Sequence, residues 1–171
     1  SKSYSIIALS IFLLGLGTAH GQDTARWPLT SSTAPLVIGN ISANNLVFTT
    51  LGQSGYTTDG FGTNKWDSTT YYEFAVKPNA GYSLLINSIS FTTRINYAGS
   101  VNGVVRYSYD SINFNSTYQQ AASFVTTSTA SDFNQYVNIP VSSGGKIYFR
   151  IYVFNVTTSK YFYCKIGRAH V

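Results

Sequence analysis

Arg94, Arg106 and Arg150 each fall inside a stretch where apolar residues alternate, and Glu73 falls inside a fourth. An unpartnered charge in a protein core costs several kcal/mol or more, so these side chains must face water or one another. Around Arg150 the phase is explicit. Ile147, Phe149, Ile151 and Val153 share one parity, while Tyr148, Arg150, Tyr152 and Phe154 share the other. Arg106 likewise opposes the apolar parity of its own stretch. A sheet face carrying Glu73, Arg106, Tyr148, Arg150 and Tyr152 has the chemistry of a glycan-binding surface. Tyrosine rings stack on sugars, and guanidinium groups donate to hydroxyls or carboxylates. The same residues also fit a solvated face laced by cross-strand pairs, with Glu73 neutralised by one arginine.

Other chemistries are poorly supplied. The chain has two histidines. His20 lies in a leader-like segment and His170 in an anomalous tail, which leaves no base for a serine or cysteine nucleophile and no imidazole for a metal. Of the six carboxylates, Asp23, Asp59, Asp67, Asp110 and Asp132 sit in predicted turns or termini, where turn formation explains them. Only Glu73 is strand-borne. Two-carboxylate glycoside hydrolysis stays formally open, so a fragment of a secreted glycoside-active enzyme is the remote reading. No spaced aspartate run points to calcium, and no metal or cofactor is expected. The formal charge is +5, or +3 once Lys2 and Arg168 are set aside. Such scattered charge is not a nucleic-acid footprint. Cys164 is alone, so no intrachain disulfide is available.

The elements that must position these residues read as β throughout. Strands are predicted at 71–77, 82–95, 104–109, 135–141 and 146–156, with Ile89, Phe91, Ile147, Phe149 and Ile151 buried. The first three of these form a successive antiparallel spine. In 82–95 the apolar phase slips, with Leu84 and Ile86 on one parity and Ile89, Phe91 and Ile95 on the other. A bulge near Asn87 and Ser88 would restore one buried face. Turns are expected at 78–81 and 99–103, and Ser142-Ser-Gly-Gly145 is the clearest hairpin signal. Short apolar runs at Leu36–Ile38 and 46–48 suit edge strands. Residues 49–70 form a Gly-rich loop whose Trp66 plugs one end of the sandwich, 109–114 a tight turn and 121–132 a polar surface connection. A final strand begins at 160. The expectation is an all-β, two-sheet antiparallel β-sandwich over residues 22–165.

At the N-terminus, Lys2, the apolar run 6–16 and Ala19-His20-Gly21 make residues 1–21 a secretory signal peptide, too short to span a bilayer. The chain is therefore expected outside the cell or on its surface, with no membrane span after cleavage. Residues 166–171 read like a translated sequencing adapter and are expected to make no native structure.

The order of motifs carries a resemblance. Trp27 is followed by Tyr-Tyr-Glu-Phe-Ala-Val (71–76), Gly-Tyr-Ser-Leu (81–84) and Ser-Ile-Ser-Phe (88–91) with Arg94. Val-Arg-Tyr-Ser-Tyr-Asp (105–110) and Phe-Arg-Ile-Tyr (149–152) complete it. This resembles β-sandwich modules of secreted, often multidomain proteins of Bacteroidota, many with a C-terminal sorting tail. The likeness covers roughly residues 27–164. It implies a jelly-roll-like, non-catalytic module without a defined ligand and, since the last strand of such modules runs into a further domain, a covalently linked downstream domain. Two functions follow as expectations. One is a binding or adhesion module whose partner is a polysaccharide or surface glycan, and the other is a structural spacer with no ligand.

Overall fold

A computed structural model describes residues 23–49, 52, 54–67, 69–114, 119–154, 156 and 160–170, with the side chains of the last strand described as far as Ile166. The leader-like segment lies outside the described residues. In chain order the strands are β1 (Thr24–Trp27), β2 (Leu36–Ile38), β3 (Ile41–Ala43), β4 (Val47–Phe48), β5 (Ser54–Thr57), β6 (Gly60–Asn64), β7 (Tyr72–Pro78), β8 (Leu84–Ile95), β9 (Ser100–Ser108), β10 (Gln120–Thr127), β11 (Ser131–Val141), β12 (Ile147–Val153) and β13 (Tyr161–His170). The described residues include no helix.

Two antiparallel sheets result. One has seven strands, in the order β11-β8-β13-β1-β2, with β6 pairing β13 and β5 pairing β6. The other has six, in the order β10-β9-β12-β7-β3, with β4 also pairing β7. The chain passes back and forth between them in a jelly-roll-like manner. This corrects the expected meander. Strands β7 and β9 both flank β12, while β8 lies in the opposite sheet. The 142–145 turn closes with Gly145 N donating to Ser142 O at 2.8 Å, but it carries the chain from β11 in one sheet to β12 in the other, so it is not a hairpin.

The core lies where strand alternation points it. Ile89, Phe91, Ile147, Phe149 and Ile151 are all buried, as expected. The phase slip in β8 is real, since Ser88 and Ile89 are both buried in succession. Its neighbours supply the extra residues. Between Tyr136 and Ile139 on β11, and between Ile166 and Arg168 on β13, the partner strand carries one residue more than β8. The extra residue of β11 lets Phe133, Val137, Ile139 and Val141 keep one parity toward the core while β8 changes its own.

The two sheets are tied by aromatic residues. Trp27 of the seven-stranded sheet packs on Phe74 of the other, with ring centroids 4.9 Å apart, and its Nε1–H donates to Asn44 O at 2.8 Å. Tyr72 Oη lies 3.0 Å from Thr63 Oγ1 and donates to Phe61 O at 3.2 Å, again between sheets. Burial pushes the Tyr72 phenol well above its ordinary range. Trp66 does plug the sandwich, edge-on to Tyr72 and to Phe162.

Three further expectations are overturned. Residues 54–57 and 60–64 of the expected 49–70 loop are strands. The polar stretch 121–132 is mostly β10, which buries Ala122, Phe124 and Thr126. Residues 166–170, expected to be structureless, continue β13. Ile166 is buried opposite Phe91 and Trp27, and Arg168, Ala169 and His170 pair with β8 through their backbones. The physical reason is that β1 and β8 both present open backbone edges there, which an added strand satisfies. Val171 lies outside the described residues.

Candidate functional site

Antiparallel register decides which outward side chains become neighbours. In the six-stranded sheet Arg150 of β12 stands directly opposite Glu73 of β7 on one side and Arg106 of β9 on the other. Arg106 in turn stands opposite Gln120 of β10. A single row across four strands therefore reads Glu73, Arg150, Arg106, Gln120, on the face turned away from the core. Tyr148 and Tyr152 flank Arg150 along β12. All five residues singled out from the sequence share this face, while Arg94 lies on the other sheet, where its Nη2 pairs with Asp59 Oδ2 at 2.6 Å.

Arg150 is bound in from several directions. Its Nε donates to Glu73 Oε2 at 2.7 Å and its Nη2 donates to Ser111 O at 3.1 Å. Its Cζ lies 3.9 Å from the ring centroid of Tyr71 and 4.0 Å from that of Phe114, between two aromatic faces. The Arg150 and Glu73 side chains retain 17% and 16% exposure. Burial works against the charge, but side-chain hydrogen bonds to Tyr152 and Glu73 outweigh it and hold the guanidinium more firmly protonated than an ordinary arginine. The expectation of Arg150 on the outer face beside Glu73, Arg106 and Tyr152 agrees with this placement. The face is not open over it, however, because Phe114 and Tyr71 roof the guanidinium.

The roof is built by the turn after β9. Asp110 Oδ1 accepts from Ser108 Oγ at 2.6 Å and from the backbone N–H groups of Ile112 and Asn113 at 2.9 Å each, and Oδ2 accepts from Asn113 Nδ2 at 2.6 Å. Four donors on one carboxylate hold its pKa far below the usual range, the Asn113 backbone contributing most. They also hold Ser111 at φ 61°, a left-handed conformation that a serine adopts only when its surroundings impose it. That bend delivers Ser111 O and the Phe114 ring to Arg150.

Arg106 is in a different state. Its Cζ lies 5.2 Å from the Tyr152 ring centroid, and Tyr152 packs on Tyr71 at 5.9 Å. Its Nε is shielded from solvent and has no hydrogen-bond partner among the described residues. The ion pairs found among the described residues are Arg94–Asp59 and Arg150–Glu73, so Arg106 has no carboxylate there. Tyr148 is half-buried, with Lys146 Nζ 4.7 Å from its ring centroid. Further along β9 and β10 a shallow cleft of about 350 Å³ is lined by Asn102, Gly103, Val104, Ser123, Phe124 and Val125, with Phe133 of β11.

Tyr71, Ser111, Phe114 and Asp110 are the site residues that sequence reasoning missed. Tyr71 shares the parity of Glu73, which was a usable signal. The part played by the turn depends on the fold of its side-chain bonds and carries no periodicity. Among the described residues no group of three or more His, Cys, Asp or Glu could hold a metal ion.

No family model and no curated protein matches the chain. Among solved structures it is similar to a mutant family 29 carbohydrate-binding module complexed with mannohexaose, at 11% identity and TM-score 0.43, covering 88% of this chain and 92% of that one. It is also similar to a further structure of a family 29 carbohydrate-binding module, at 11% identity and TM-score 0.41, over 88% and 89%. A third is a family 36 carbohydrate-binding module in complex with calcium and xylotriose, at 14% identity and TM-score 0.36, over 73% and 97%.

Proposed function

We propose that this chain is a non-catalytic module that binds a polysaccharide or surface glycan through the outer face of its six-stranded sheet. It would work outside the cell, behind the N-terminal signal, as one unit of a larger exported protein of the Bacteroidota kind. The observation that carries this reading is Arg106. It is a guanidinium without a carboxylate partner among the described residues, set over the Tyr152 ring on the outer face of the six-stranded sheet. A planar donor fork beside an aromatic ring is the combination that holds sugar hydroxyls and ring faces.

The sequence alone suggests Arg150→Ala with Tyr152→Ala as the test. The packing argues for a different one, because removing Arg150 strands Glu73 and removing Tyr152 opens a buried site. The better test is affinity electrophoresis of the folded chain through a panel of neutral and acidic polysaccharides, with Arg106→Ala beside it. Retardation by at least one polymer, weakened about tenfold or more in the variant, is the expected result, since a charged hydrogen-bonded contact is lost. A spacer without a ligand is the second reading, favoured by the internal neutralisation of Glu73 by Arg150. It predicts no retardation by any polymer.

A further inference from the structure

We infer that the glycan bound on this face is acidic, with a carboxylate seated against Arg106. The inference rests on the glycan reading and adds to it the charge of the ligand. Lys77, Arg106 and Arg150 point outward from this sheet, and Lys146 lies over Tyr148 on the same face. Against them stand Glu73 and, in the turn, Asp110. Neither carboxylate is at liberty. Glu73 is taken by Arg150, and Asp110 by four donors of its own turn.

Arg106 and Arg150 are direct cross-strand partners, an arrangement of like charges that destabilises a sheet unless an anion intervenes. The Arg150 charge is already compensated and that of Arg106 is not. The Tyr152 ring offers Arg106 only its quadrupole. Because the Arg106 Nε–H is shielded from solvent and has no partner among the described residues, part of the guanidinium has lost its hydration before any ligand arrives. An incoming anion therefore meets a cation whose desolvation is partly complete, and gains more from it than from a fully hydrated lysine. The fork of an arginine matches a planar carboxylate in two parallel hydrogen bonds. The C6 carboxylate of a uronic acid is such a group. Gln120, directly opposite Arg106, and Asn102 and Ser123, which line the cleft further along β9 and β10, supply the neutral donors and acceptors that neighbouring hydroxyls need.

The test compares three gels cast with polygalacturonate, with its methyl ester, and with a neutral galactan, run at low salt and again at about 0.5 M sodium chloride, where screening shortens the reach of exposed charge to a few Å. The expected result is retardation by polygalacturonate, at least about tenfold weaker with the ester and in Arg106→Gln, intermediate in Arg106→Lys, and unchanged in Arg94→Gln on the opposite sheet. Equal retardation by acid and ester overturns the inference and leaves the glycan reading standing, as does retardation by the neutral polymer alone. No retardation by any of the three, or by the wider panel, overturns both. The acid–ester comparison uses the unaltered chain, so its outcome does not depend on how any variant folds.

Discussion

Asp110 shows how one side chain can govern a site that it does not touch. Its carboxylate gathers two backbone N–H groups, a serine hydroxyl and an asparagine amide, and the bend so formed places Phe114 over Arg150. Because its pKa is lowered by folding, Asp110 contributes stability that is fully present above the unfolded carboxylate value, about 3.9, and is lost as pH falls through the folded one. Asp67, bound by Thr69 and Thr70, is shifted the same way and adds to the same acid limb. Asp110→Asn should therefore lower the urea midpoint at pH 7 and flatten its decline below about pH 4, leaving the Asp67 part of the slope. An unchanged slope between pH 5 and pH 3 would show that the turn opens without consequence for the fold. The row of Glu73, Arg150 and Arg106 was legible beforehand, because strand parity alone puts these residues on one face. Phe114 was not grouped with it, because its arrival depends on the Asp110 turn, which no local pattern encodes, whereas Tyr71 shares the parity of Glu73 and was overlooked.

Among the elements, legibility followed apolar content. Strands β7 and β12 alternate large apolar residues and were found to within a residue or two at their starts. Strand β8 even revealed its phase slip, though the compensating residue turned out to belong to β11. Strand β10 was missed because its inward residues, Ala122, Phe124 and Thr126, include just one large apolar side chain, and its outward Val125 blurs the alternation. Strands β5 and β6 escaped for a related reason, being mostly Gly, Ser and Thr, with β6 held in place by the backbone of β13. What β10 lacks in apolar residues it recovers by fit. The Phe124 ring occupies the space that a side chain at Gly103 of β9 would need, so a Cβ there would run into the ring. Gly103→Ala should cost about 1–3 kcal/mol through overpacking. Gly55→Ala, on the exposed β5 with nothing near its Cβ, should stay within about 0.5 kcal/mol of the parent. Urea denaturation of the pair measures both, and equal costs would refute this account of how β10 docks.

At the scale of the molecule, the two sheets close on each other through a few large side chains, of which Trp27 is the most committed. It is fully buried, reaches Phe74 across the interface and bonds the Asn44 carbonyl. Trp27→Ala should cost about 3–5 kcal/mol. Against the roughly 5–15 kcal/mol typical of a domain, that is enough to threaten folding near body temperature. Near-ultraviolet circular dichroism and the urea midpoint would register it, and a loss below about 1 kcal/mol would mean that the interface closes without this residue. Cys164 lies on the same seam from the other end of the chain, on β13 between Thr93 of β8 and Phe61 of β6. It is fully buried, and burial pushes its thiol far above the range in which a thiolate forms. The one sulfhydryl of the chain is therefore silent toward alkylating reagents for as long as β13 stays seated, and its labelling rate becomes a clock. When reclosing outpaces alkylation, the observed rate divided by that of a free thiol is the equilibrium constant for exposing this seam. A native-state free energy of opening for the middle of the seven-stranded sheet can thus be read from an unaltered chain, without denaturant or an introduced probe.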